Sequence, residues 1–277
     1  MVDKRNSDGE GRPVRRPAEP GRGRPARKGT SAPRRSGPDR ARRAQPQHTA
    51  DADSAPQPIG PPIPANIEAK QLAPDIRAEL LTLDKSTADT VARHLVAAGE
   101  LLDEDPEAAL AHAQAARQRS GRIAAIREAV GVAAYHCGDW AQALAEFRAA
   151  RRMGSKSQLL PLIADCERGV GRPERAIELA RSPEAAQLTG DDADEMRIVA
   201  AGARADLGHL EQAMAVLSSP APDPSRTGTT AARLFYAYAE TLLALGRTEE
   251  ALQWFVNAAA ADVDGVTDAE DRIGELA

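Results

Sequence analysis

A phrase of about ten residues recurs along this chain, and no other feature narrows the fold so far. A turn residue, usually glycine, is followed by a small alanine and then by an apolar or small residue four places on. The copies read Gly138-Asp139-Trp140 with Ala143 and Phe147, Gly171-Arg172-Pro173 with Ala176 and Ala180, Gly208-His209-Leu210 with Ala213 and Leu217, and Gly246-Arg247-Thr248 with Ala251 and Phe255. A weaker first copy is Glu104-Asp105-Pro106 with Ala109 and Ala113. The recurring alanines, Ala109, Ala143, Ala176, Ala213 and Ala251, are spaced by 34, 33, 37 and 38 residues. A period in this range means one supersecondary unit repeated, each unit burying its apolar face against the next.

Each unit reads as two helices. Helical-period stretches precede the turn phrases at 87–103, 123–137, 157–169, 193–207 and 230–245, and follow them at 106–119, 140–153, 173–181, 210–218 and 248–261. Pro106 and Pro173 suit the first turn of a helix, where the missing N–H is not needed. Asp105 and Thr248 are expected to be N-caps. The glycines at 138, 171, 208 and 246 are expected to end the preceding helix in the left-handed conformation. The recurring alanine marks close approach of the two helices, so Ala143→Leu should overpack the unit. Ala258, near the end of the last second helix, is expected to have more room.

With the small and large positions Gly131, Ala134, Gly138, Trp140, Ala143, Phe147 and Ala150, the copy at 124–157 resembles a tetratricopeptide repeat (TPR), and the resemblance spans about 90–261. It implies an all-α, right-handed solenoid of about five units, near 90–123, 124–157, 157–190, 194–229 and 232–264, within an array over 87–262. Pro161, Pro183 and the run Pro220-Ala221-Pro222-Asp223-Pro224 depart from the pattern, and the long spacings of 37 and 38 predict extra loop at 184–192 and 219–229. Ahead of the array, 65–86 reads as a capping helix region carrying Ile76, Leu80, Leu81 and Leu83; behind it, 263–277 reads as an acidic cap.

Composition agrees with closely packed helices. Aromatic residues make up 3% of the chain, too few for sandwiches or barrels. No apolar run reaches the ~18 residues of a transmembrane span, and residues 1–30 hold no apolar core of a signal peptide. Cys137 and Cys166 lack metal-type spacing. A cytoplasmic location and inert thiols are therefore expected. Arginine outnumbers lysine 31 to 5, a bias expected of a GC-rich, bacterial and more narrowly actinobacterial, genome.

Charge divides the chain. Residues 1–50 carry 14 Lys/Arg and 5 Asp/Glu, while 51–277 carry 22 and 36. The first 64 residues hold 12 of the 20 prolines and no Phe, Tyr or Trp, and read as a disordered basic tail. Within it, Arg22-Gly23-Arg24-Pro25 resembles an AT-hook, in which the arginines lie in a narrow minor groove. A basic stretch also falls at 108–164, with Arg117, Arg119, Arg122, Arg127, Arg148, Arg151, Arg152 and Lys156 against three acidic residues. Stacking of equivalent helix ends is expected to merge Arg117 and Arg119 with Arg148, Arg151 and Arg152 into one polyanion-binding patch.

Other patterns carry no chemistry. Gly21 to Ala26 matches a dinucleotide fingerprint without the strand and helix it needs. Asp262-Val263-Asp264-Gly265 is an incomplete calcium loop. No set of acid, base and nucleophile converges, so a non-catalytic chain without metal or cofactor is expected. His94 and His112 fall on different helices and read as exposed or half-buried structural residues. The TPR resemblance implies a concave groove lined by the first helices, with His94, Glu128, Tyr135, Asp165, Arg168, Glu195, Tyr236 and Glu240 as candidate peptide-contacting residues. The Lys/Asn/Arg set of the carboxylate-clamp subgroup is missing, so a neutral or basic peptide of a protein partner is the expected ligand. Nucleic acid, held through the tail and the basic stretch, is the alternative.

Overall fold

The computed structural model of this chain describes residues 60–277, and these lie within one compact unit spanning 54–277. The expected tail, with Arg22 and Arg24, falls outside the described residues except for 60–64. Those five belong to the folded body: Ile63 packs on the core cluster that holds Ile67, Leu72 and Leu80, and the Pro64 carbonyl accepts from Ile67 N–H at 3.1 Å.

All described regular structure is helical. A short α1 (Pro74–Glu79) precedes five helix pairs: α2 (Lys85–Leu101) with α3 (Pro106–Arg119), α4 (Ala124–His136) with α5 (Trp140–Arg152), α6 (Leu160–Gly169) with α7 (Pro173–Ala180), α8 (Gly190–Asp206) with α9 (Leu210–Leu217), and α10 (Thr229–Ala244) with α11 (Thr248–Ala261). A last helix, α12 (Ala269–Leu276), packs on α11. From α2 onward each helix packs on its neighbours in sequence, α1 packs on α4, and among the first helices α6 stacks on α8 and α8 on α10. This nearest-neighbour pattern is that of a repeat array.

The local chemistry explains the boundaries. Gly138, Gly171, Gly208 and Gly246 have φ of 71°, 76°, 75° and 75°, the left-handed turn that a side chain would strain. Asp105 accepts from Ala108 N–H at 3.0 Å as expected of an N-cap. Thr248 does not cap: it is the first helical residue, and Arg247 before it instead pairs with Glu250 at 2.6 Å. Asp84 and Asp139 perform the capping role for α2 and α5, and hydrogen bonds from Thr87 and Ser86 hold the Asp84 carboxyl at a pKa of about 2. The extra loop before α10 is tied down by Arg197, which donates to the Leu217 and Pro220 carbonyls at 2.5 Å each.

The recurring alanines are all sealed, each 0% exposed. Ala258 is also 0% exposed, because α12 folds back over α11 and places Ala269 in the same core cluster. The expected spare room at Ala258 does not exist. Ala143→Leu and Ala258→Leu should therefore both destabilise, by about 1 to 3 kcal/mol each. Urea unfolding checks this; an unchanged midpoint for Ala258→Leu would show that α12 yields to the larger side chain.

Candidate functional site

The first helices line a groove made of two adjoining clefts that share Val132. The first, about 270 Å³, lies between α1, α2 and α4, with Leu95, Ala98, Ala129 and Val132 as apolar surface and Asp75, Glu79, Glu128 and Lys156 as charges. The second, about 560 Å³, runs along α4, α6, α8 and α10, with Val132, Leu162 and Val199 as apolar surface and Asp165, Asp192, Glu195 and Arg233 as charges. Each cleft thus carries three carboxylates and one cation.

Most of these charges serve the fold. Glu79 accepts from Ala125 N–H at 3.2 Å, satisfying an open donor at the start of α4. Glu128 takes the hydroxyls of Ser155 at 2.8 Å and Ser157 at 2.6 Å. The Tyr135 hydroxyl donates to Asp165, and burial together with that carboxylate raises the phenol pKa. Arg168 joins Asp165 at 2.7 Å to Asp206 at 2.8 Å and lies flat where Gly202 leaves space: a Cβ there would stand 2.7 Å from its guanidinium carbon. Glu195 pairs with Arg233 at 3.2 Å, and burial raises its pKa despite that partner. Asp75 and Asp192 have no ion-pair or hydrogen-bonding partner among the described residues, one in each cleft.

The expected groove residues therefore divide. Glu128, Tyr135, Asp165 and Glu195 line the clefts, and Arg168 sits beside them on Asp165. Tyr236 and Glu240 are engaged at the C-terminal end of the array: Glu240 pairs with Arg272 of α12 at 2.9 Å, and Tyr236 stacks edge-on against Phe255 of α11 with centroids 5.4 Å apart. His94 is not a groove residue. It is 1% exposed and turned between α2 and α3, where its Nδ1 meets Nδ1 of His112, 4% exposed, at 3.0 Å. The exposed or half-buried histidines expected at these two positions are a buried hydrogen-bonded pair. Asp75, Asp192 and Arg233 escape a reading that counts only periodic positions. Asp75 comes from the helix ahead of the array, and a charge near the start of a first helix looks like a dipole partner.

The basic stretch is largely internal circuitry. Arg117 and Arg127 hold the buried Glu146 at 3.1 and 2.9 Å. Arg148 pairs with the buried Glu167, and Arg172 Nε stands 3.0 Å from the other Glu167 oxygen, near enough to pair but off the hydrogen-bonding direction. Arg151 pairs with Glu184, and Arg119 donates to the Ala115 carbonyl at 3.0 Å. The expected merged cationic patch does not form from these side chains, because Glu146, Glu167 and Glu184, later in the chain, pair with Arg117, Arg148 and Arg151. Arg152, with Arg122 and Lys156, remains exposed. Asp262, in the incomplete calcium loop, instead accepts from Val266 and Thr267 N–H at 2.8 and 2.7 Å and shapes the turn into α12. Cys137 and Cys166 are free thiols, the latter with a pKa pushed up to about 12 by burial. Among the described residues no group of three or more His, Cys, Asp or Glu converges as a metal site, and no helix is long and apolar enough to cross a membrane.

Comparison with known proteins bears on the repeat. Residues 163–266 match the family model for the tetratrico peptide repeat. That segment runs from α6 through α11 and holds the third to fifth helix pairs, including Asp165, Arg168 and Glu195 of the groove. A solved structure of YrrB, described as a TPR protein with an unusual peptide-binding site, shares 18% identity, with 72% of this chain and 99% of that chain covered and a TM-score of 0.42. No curated protein matches the chain.

Proposed function

We propose that this protein is a non-catalytic, cytoplasmic TPR scaffold whose groove takes an extended, partly apolar segment of a partner protein bearing Lys or Arg. The observation that carries this reading is the pair Asp75 and Asp192. Each stands without a partner beside an apolar cleft floor, while the carboxylates around them are already engaged. Carboxylates held in this way select for cations and speed encounter more than they add bulk affinity. In this reading residues 87–262 form the repeat array, 65–86 contribute the wall that holds Asp75, and 263–277 close the far end. The free thiols agree with a reducing compartment. A nucleic-acid reading lacks comparable support, because most of the basic stretch is paired within the chain.

The test uses a labelled decapeptide alternating Leu and Arg, titrated against the full chain by fluorescence anisotropy. Asp75→Lys with Asp192→Lys should weaken binding at least ~10-fold, about 1.4 kcal/mol. Glu174→Lys with Glu249→Lys, an equal charge change on the second helices α7 and α11, should leave it within ~2-fold. Equal losses in the two double variants would mean that the peptide senses only net charge, and the groove reading would fail.

A further inference from the structure

The third junction of the array differs from the others in charge. At each junction the residue five places after the recurring alanine is matched with the residue four places before the next turn glycine. These matched pairs are Gln114 and Ala134, Arg148 and Glu167, Arg181 and Arg204, and Ser218 and Leu242. The second junction is an ion pair, with Glu167 buried beneath Arg148. The third sets two arginines at the same register, where α7 packs on α8.

Arg204 is 7% exposed, yet the one hydrogen bond of its side chain is to a carbonyl, that of Ala200 at 2.6 Å. Arg204 forms no ion pair among the described residues, and on the same two helices and the loop between them Glu178 pairs with Arg175, Glu184 with Arg151 and Asp206 with Arg168. Burial and the like charge of Arg181 both act to lower the Arg204 pKa, and no carboxylate opposes them. A guanidinium cannot relieve this by losing its proton near neutral pH. Its remaining nitrogens are not among the buried polar atoms lacking partners, which are Gln142 Nε2 and Glu167 Oε2 among the described residues, so they keep a path to solvent. A cation this deep without a counter-charge is costly. Two guanidinium groups at one junction suit a planar-forked grip on an oxyanion.

We propose that Arg181 and Arg204 form a binding site for a phosphate-class oxyanion, free or as a small phosphate monoester, which takes the place of the carboxylate that Glu167 supplies one unit earlier. The site lies at the α7–α8 junction and is separate from the peptide groove proposed above.

The experiment is thermal unfolding of the full chain at pH 7.5 in sodium phosphate, in O-phosphoserine and in sodium chloride, all at matched ionic strength. Phosphate or O-phosphoserine should raise Tm saturably by about 2 to 5 °C beyond chloride, as a ligand that binds the native state does. A rise with O-phosphoserine alone assigns the site to monoesters, and equal rises assign free phosphate as well. Arg181→Gln, at an exposed position, should abolish the excess. Arg204→Glu should abolish it too, and should match or exceed the parent Tm in chloride because it rebuilds the Arg148–Glu167 arrangement. No excess over chloride, or an excess that survives in Arg181→Gln, overturns the proposal.

Discussion

Phe147→Ala should lower stability by about 3 to 5 kcal/mol, the largest single loss expected in this chain. Phe147 is 0% exposed and fills the space between α4 and α5, within the cluster of Ala134, Ala143, Leu144 and Ile163. Its ring fits because Gly131 faces it: a Cβ at Gly131 would stand 2.7 Å from ring atoms Cδ1 and Cε1. Two terms therefore compete in Gly131→Ala. Helix propensity favours alanine by about 1 kcal/mol, while overpacking against a ring that has nowhere to move costs about 1 to 3 kcal/mol. The second should win, and Gly131→Ala should destabilise. Once Phe147→Leu shortens the opposing side chain, only the first term survives, and Gly131→Ala should become neutral or stabilising. Urea unfolding of the four proteins of this double-mutant cycle measures the coupling. Additive effects would show that ring and glycine do not meet.

Stability should also fall as pH is lowered from about 6.5 towards 4, owing to the pair His94 and His112. Burial, helped by the charges of Arg119, His112 and Arg93, lowers the His94 pKa from 6.5 to about 4, and burial lowers that of His112 as well. The folded state thus refuses a proton that the unfolded chain accepts. The stabilisation is complete above the unfolded value of 6.5 and is lost progressively as pH falls to the folded value of about 4. For His94 the full loss is about 3 kcal/mol. Across the pair, Nδ1 to Nδ1 at 3.0 Å, one ring donates and the other accepts, an arrangement that needs the accepting ring neutral and is lost once both are protonated. The double change His94→Leu with His112→Leu removes donor and acceptor together, which is tolerated far better than removing one. Denaturant midpoints of the double variant should therefore fall less between pH 7 and 5 than those of the parent. Parallel curves over that range would remove the histidine pair as the cause.

Much of the fold was legible because its signals are local. A glycine that must turn left-handed, a proline tolerated only in a first turn, and an alanine where two backbones approach each act within a few residues. Hence α3 and α11 fall at 106–119 and 248–261 as the periodicity predicts, and the other array helices lie within a few residues of expectation. The site was less legible, because a groove is made by residues from several units and by what lies at its ends. Glu128, Tyr135, Asp165 and Glu195 follow from being on first helices. Asp75 does not, since it enters from α1.

The sequence by itself determined the all-helical repeat, the order of its helices and the turns that separate them, because backbone conformation at those turns depends on nearest neighbours in the chain. Only the tertiary structure decided which charges are spent and which remain. Glu146, Glu167 and Glu184 neutralise arginines that a count along the chain leaves as a basic belt, and α12 seals Ala258, which the chain order places near an open end. The same step hid His94 against His112 and left Arg204 without a carboxylate. An ion pair or a buried pair of rings depends on distances between residues some 18 to 33 positions apart, and those distances exist only once the units have stacked.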